Sequence, residues 1–276
     1  MVLAPLAGLA SAATYGMGDF FAGVASRRAS VFVVALGSQL VGFVLLPIVA
    51  LALRDPFPAT RDILWATGAG ASSFLGIAGL YGALAAGRMG VAAPLTGVIA
   101  AAVPVAYAWS TGGSPGALPV AGMMLALFGI ALVSGPRAER PSLRVLALAT
   151  LSGLGFAGFL LMMGLSRAES VAWPLTAARI ATVGGFLVAV ALARPALRGA
   201  PWRLILATGI LVALGDVAYL LAARWGRLDV AVVLSSLYPA ATVAMARVFL
   251  KEQLTATQMA GALVMLAAIP LIAMSG

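Results

Sequence analysis

The feature that most constrains this chain is the length of its uncharged stretches. The 25 residues between Arg28 and Arg54 carry no charge, nor do the 25 from Ile63 to Gly87, the 22 from Val145 to Ser166, or the 24 from Gln253 onward. Each is long enough to cross about 30 Å of hydrocarbon as an α-helix. Met89 to Pro136 forms a longer uncharged run, split by Thr111-Gly112-Gly113-Ser114-Pro115-Gly116, a turn-forming cluster that divides it into two spans. Only 9% of the 276 residues are charged and the mean hydropathy is +1.09, whereas a soluble domain of this length carries roughly a quarter charged residues.

The runs are continuous and do not alternate with a period of two, so they predict helices, not a barrel. Ten spans follow, at about 3–25, 31–53, 63–86, 91–110, 118–134, 145–165, 172–193, 204–223, 230–249 and 254–274. No Lys or Arg precedes the first, and its apolar stretch is too long for a signal peptide, so it is expected to stay in the protein. The net charge of +9 is scattered over short loops and forms no basic patch; no nucleic-acid partner is expected. The even-numbered loops hold Arg54, Arg61, Arg167, Arg224 and Arg227. The odd-numbered loops hold eleven basic residues, so the positive-inside rule places both termini outside the cytoplasm.

An internal repeat is also legible. Gly87-Arg88-Met89-Gly90-Val91-Ala92 and Gly226-Arg227-Leu228-Asp229-Val230-Ala231 lie 139 residues apart at corresponding junctions. The same register pairs Leu95 with Leu234 and Thr96 with Ser235. A shift of 141 pairs Ser11 with Ser152, Tyr15 with Phe156 and Gly23 with Gly164. Because five is odd, a second five-helix copy enters the membrane from the opposite face. The expected fold class is therefore an all-α integral membrane protein of ten transmembrane helices arranged as two inverted five-helix repeats, 1–136 and 145–276, joined by a linker at 137–144.

Leu237-Tyr238-Pro239-Ala240-Ala241-Thr242, Leu250-Lys251-Glu252-Gln253-Leu254 and Gln258-Met259-Ala260-Gly261 resemble the "L-x-P … E-x-L … Q-x-x-G" ending of the drug/metabolite transporter superfamily in its ten-helix, EamA-type form. The first half departs from that pattern, with Ala100 at the proline position and no acidic residue in Gly112 to Gly116. The resemblance implies a fold and a secondary transporter, not an enzyme. Members export amino acids, nucleoside-like metabolites, sugars or drugs, with amino acids the first expectation here, across a cell (inner) membrane.

Absence of His and Cys removes haem, thiolate and imidazole-zinc chemistry, and no cofactor or metal is expected. The expected partners are a small-molecule substrate and the lipid bilayer, with a single chain sufficient for function. Eight scattered acidic residues do not suit a membrane-embedded lipid transferase. A channel, a lipid scramblase or a structural subunit stays open as an alternative.

Polar side chains inside helices are costly in hydrocarbon and turn toward the bundle interior. Ser11, Thr14, Tyr15 and Asp19 share a face of the first helix; Ser72, Ser73, Phe74 and Tyr81 mark the third; Ser152 and Phe156 the sixth; Asp216 and Tyr219 the eighth; Ser235, Tyr238 and Thr242 the ninth. The candidate substrate-binding set is Tyr15, Ser73, Phe74, Tyr81, Phe156, Arg179, Asp216, Tyr219, Ser235 and Tyr238. The serines and threonines could equally serve only to join helices. Arg179 and Asp216 lie about seven residues from the same membrane face and are expected to meet, either to fix the helices or to hold a substrate carboxylate through Arg179. Asp19 belongs to the other half of the bilayer and has no basic residue at its depth, which makes it the candidate proton-coupling group.

Overall fold

A computed structural model describes residues 3–85, 89–113, 116–133, 142–166, 168–197, 199–249 and 255–273. Every regular element among them is an α-helix. These are α1 (Leu3–Ser26), α2 (Val31–Ala52), α3 (Thr60–Ala85), α4 (Met89–Gly112), α5 (Ala117–Val133), α6 (Leu143–Leu165), α7 (Ala172–Ala193), α8 (Trp202–Trp225), α9 (Leu228–Ser235), α10 (Tyr238–Phe249) and α11 (Ala256–Ala273). Among the described residues seven stretches are long and apolar enough to cross a membrane, one of them running from α9 through α10. Several sequence features lie outside the described residues: Gly87-Arg88 of the repeat motif, Leu250 to Leu254, and most of the linker, whose Leu143 and Arg144 fall in the first turn of α6.

The span expected at 230–249 is broken, with Ser236 and Leu237 separating α9 from α10. Pro239 is the cause: it has no amide to donate to Ser235, and its ring crowds that carbonyl. The backbone closes instead with Ser236 N to Val232 O at 2.9 Å, Leu237 N to Leu234 O at 3.2 Å and Ala240 N to Leu237 O at 3.0 Å.

The bundle is apolar outside and polar inside. Val44, Ile48, Ile180, Val188, Leu206 and Leu214 are exposed, while Ser11, Gln39, Ser152, Thr182, Thr208, Arg179 and Asp216 are buried. That arrangement suits hydrocarbon surroundings, where exposing Leu or Ile has no cost and an unpaired polar group is expensive. Inner serines and threonines stitch helix to helix: Thr182 Oγ1 donates to Gly70 O and Ser152 Oγ to Gly76 O, both at 2.8 Å, and Thr242 Oγ1 donates to Gly16 O at 3.1 Å.

Helix neighbours are exchanged pairwise. α3 packs on α6 as α1 packs on α8; α4 packs on α6 as α9 and α10 pack on α1; α3 meets α7 as α2 meets α8; and α2 packs on α7, α5 on α11. Two aromatic rings follow the same rule. Phe156 of α6 lies over Gly76 of α3, where a Cβ would stand 2.8 Å from the ring, and Tyr15 of α1 lies over Gly215 of α8, where it would stand 2.6 Å away. Gly76 and Gly215 are 139 residues apart, Tyr15 and Phe156 141.

The face carrying the α2–α3, α6–α7 and α8–α9 loops is tied together by charged groups. Asp55 Oδ2 accepts from Val171 N at 3.1 Å and Ala172 N at 3.0 Å, serving the free amides at the start of α7, and Trp173 Nε1 donates to Asp55 O at 3.0 Å. Arg224 donates to Glu169 O at 2.8 Å and to Ser170 O. Buried Asp229 accepts from Trp109 Nε1 at 2.9 Å and pairs with Arg227 at 3.0 Å.

Candidate functional site

α1, α2, α3, α4, α6, α7 and α8 and the α9–α10 break surround a central cavity of about 90 Å³, α4 contributing Ala100. A water needs roughly 10–15 Å³ of such space, so the cavity holds several waters or a small solute.

A buried polar couple forms one part of the wall. Arg179 of α7 and Asp216 of α8 are 4% and 3% exposed. Nη2 of Arg179 donates to Asp216 Oδ2 in an ion pair, and Nη1 donates to Gln39 Oε1 of α2. Tyr15 donates its hydroxyl to the other carboxylate oxygen, Oδ1, at 2.6 Å. Opposite charges at equal depth thus meet directly. Paired and hydrogen-bonded, the two ions avoid most of the penalty that either would meet alone in a dry interior. Nε of Arg179 is buried without a hydrogen-bond partner.

Asp19 lines another part of the wall. Among the described residues it makes no hydrogen bond or ion pair, and Tyr81 of α3 and Tyr238 of α10 stand within electrostatic range of it. Ser73, Ser235 and Ser236 add hydroxyls, and Ser235 Oγ is buried without a partner. Ile77, Leu80, Phe156, Phe159, Leu160 and Val212 complete the wall with apolar surface. Among the described residues no group of three acidic, His or Cys side chains converges to hold a metal.

The structure therefore brings Tyr15, Ser73, Tyr81, Phe156, Arg179, Asp216, Ser235, Tyr238 and Asp19 to one cavity. Phe74 is elsewhere: its ring packs edge-to-face on Phe186, with centroids 4.9 Å apart, and against Gly185. Ser73 and Phe74 are adjacent on a helix, about 100° apart, so only one of them can face inward. Tyr219 also lies outside the lining, fully buried, with its hydroxyl donating to Leu160 O. Sequence reasoning passed over Gln39 and Ser236. Gln39 is an amide in the middle of an uncharged span, a signal of the same kind as an intramembrane charge. Ser236 gave no sign until the break at Pro239 was in view.

The register of the halves does not carry the charges. Gln39 and Arg179, which bond each other, are 140 residues apart. At the 139 spacing Asp216 is opposite Ile77, and at 141 Asp19 is opposite Leu160.

An apolar-coated helical bundle around a small cavity with polar walls defines a multi-pass membrane protein. Residues 141–274, the second half of the chain, match the EamA-like transporter family, whose members are transporters of small solutes. A solved structure, titled only "Crystal structure of protein", superposes with a TM-score of 0.77 at 17% identity over 97% of this chain and 95% of that one, a likeness of fold. No curated protein sequence matches the chain.

Proposed function

We propose that the chain is a secondary transporter that exports or exchanges small polar metabolites across a cell (inner) membrane by alternating access. The observation that carries this reading is the central cavity in which α1 and α3 meet α6, α7 and α8 around Asp19 and the Arg179–Asp216 pair. Intramembrane charges of this kind mark solute and ion pathways. The family match over residues 141–274 supports the same class. Amino acids are the first solute class by the family likeness, and Tyr15, Ser73, Tyr81, Phe156, Arg179, Asp216, Ser235 and Tyr238 are the residues assigned to the site.

Two inverted five-helix repeats are the architecture that goes with this reading. The pairwise exchange of helix neighbours and the two rings over Gly76 and Gly215 support it, because the most extensive helix contacts of one half recur with their partners exchanged between the halves. Rocking one half against the other then exposes a fixed central site to alternate faces. The broken helix α9–α10 at the cavity is the kind of interruption such sites use. The basic loops favour termini outside the cytoplasm, so a reporter fused after Gly276 that works only outside is the expected result.

The test is counterflow in vesicles holding the purified chain, with amino acids, amines, nucleosides and sugars as candidate solutes. Saturable, gradient-driven accumulation of one class is the expected result. Downhill flux at channel rates, or none for any solute, overturns the reading.

A further inference from the structure

We propose that the cavity takes an organic amine as its ammonium ion, a compact apolar body with one positive charge and no carboxylate, with Asp19 as the counter-ion. The proposal rests on the transport reading above and, within it, puts amines in the place given there to amino acids.

A count of charges around the wall carries it. Among the described lining residues three side chains carry formal charge: Asp19, Arg179 and Asp216. The terminal nitrogens of Arg179 are engaged by Asp216 and Gln39, and the second oxygen of Asp216 is taken by Tyr15. This couple is neutral and turned in on itself. A solute carboxylate reaching for Arg179 would have to displace Asp216 and strand a buried negative charge. Asp19 makes no hydrogen bond or ion pair among the described residues, so it is the lining carboxylate left without a counter-ion.

Three further features have the same sign. Tyr81 and Tyr238 line the same cavity within electrostatic range of Asp19, and phenol rings attract a cation through their π faces. α9 ends at the cavity, with Ser235 and Ser236 in the lining, so the negative end of its dipole is directed there, and Pro239 offers no amide to the Ser235 carbonyl. Ser235 Oγ, 2% exposed and without a partner, is a hydroxyl able to accept from an ammonium. The apolar surface of Ile77, Leu80 and Phe156 suits the body of the same molecule. An amino acid brings a carboxylate that this wall does not neutralise.

Three probes with one ring and different charge decide the matter: phenethylamine, phenylalanine and 3-phenylpropionate, titrated calorimetrically onto the purified full chain. Phenethylamine is expected to saturate, with the other two at least about thirtyfold weaker, the scale of loss for an unneutralised buried charge. Asp19→Asn should weaken phenethylamine by a similar factor while melting at the wild-type temperature, and Asp19→Glu should restore part of the affinity. Phenylalanine binding as tightly as phenethylamine, or unchanged phenethylamine affinity in Asp19→Asn, overturns the proposal. Should the variant fail to fold, the three-probe series on the wild-type chain decides alone. If none of the probes binds while a sugar or nucleoside drives counterflow, the amine assignment falls and the transport reading stands. If phenethylamine binds while no solute of any class is transported, the transport reading falls and the binding assignment stands.

Discussion

The hydroxyl of Tyr15 on α1 donates to Oδ1 of Asp216 on α8 at 2.6 Å, closing the side of the carboxylate that Arg179 leaves open. Tyr15→Phe keeps the ring over Gly215 and removes only the donor. The loss of a bond to a charged group should lower stability by about 1.5–3 kcal/mol, measured by denaturant titration in mild detergent micelles. A change within error would mean that water replaces the hydroxyl.

Arg179 and Asp216 should behave as a unit. Arg179→Leu alone leaves a buried carboxylate without its counter-charge and should cost about 3–5 kcal/mol of stability, and Asp216→Leu should cost a similar amount. The double variant Arg179→Leu/Asp216→Leu should recover most of that loss, because two apolar side chains bury without charge. A double-variant loss equal to the sum of the singles shows that the pair is not coupled.

Amine binding should weaken as pH falls. A proton on the Asp19 carboxylate removes the negative charge that an ammonium needs, so affinity is expected to be highest on the alkaline side of its titration and to fall on the acidic side. The ionisable neighbours facing Asp19 are Tyr81 and Tyr238, with Tyr15, Arg179 and Asp216 elsewhere in the same lining. Whatever binding Asp19→Asn retains should be flat with pH. A variant that keeps the wild-type pH profile transfers the proton-coupling role away from Asp19.

The two ring-over-glycine contacts can be compared directly. Gly76→Ala places a methyl 2.8 Å from the Phe156 ring, and Gly215→Ala places one 2.6 Å from the Tyr15 ring. Both are closer than packed atoms tolerate, and each should cost about 1–3 kcal/mol, read from thermal unfolding. Wild-type stability in either variant would show that the helices can move apart at that point without loss.

The helices were legible in the sequence because a run of more than twenty residues without charge leaves the backbone no alternative in hydrocarbon. The break in the ninth span was less so, since a proline alone does not decide between a kink and an interruption: α2 runs through Pro47 and α4 through Pro104 without one. Depth along a helix can be counted, and it brought Arg179 to Asp216. Rotation about the axis is harder to read. Phe74 and Ser73 share a depth and Tyr219 follows Asp216 by one turn, yet what each side chain meets depends on a neighbouring helix far away in the chain. Gln39 illustrates the same difficulty, because its role as acceptor for Arg179 is visible only once α2 and α7 are packed together.

The charged couple has no counterpart across the register of the two halves: Gln39 is opposite Arg179 and Ile77 opposite Asp216. The charged set therefore does not recur at the spacings that relate the two rings over glycine. On the transport reading proposed above, a solute entering from one side meets Asp19 and the couple in the opposite sequence from one entering from the other, and the two directions are expected to differ in rate. Thermodynamics fixes the same final distribution for both, and the asymmetry can appear only in time. Vesicles with the protein inserted one way round should fill and empty with unequal half-times at equal and opposite gradients, making the molecule a kinetic rectifier.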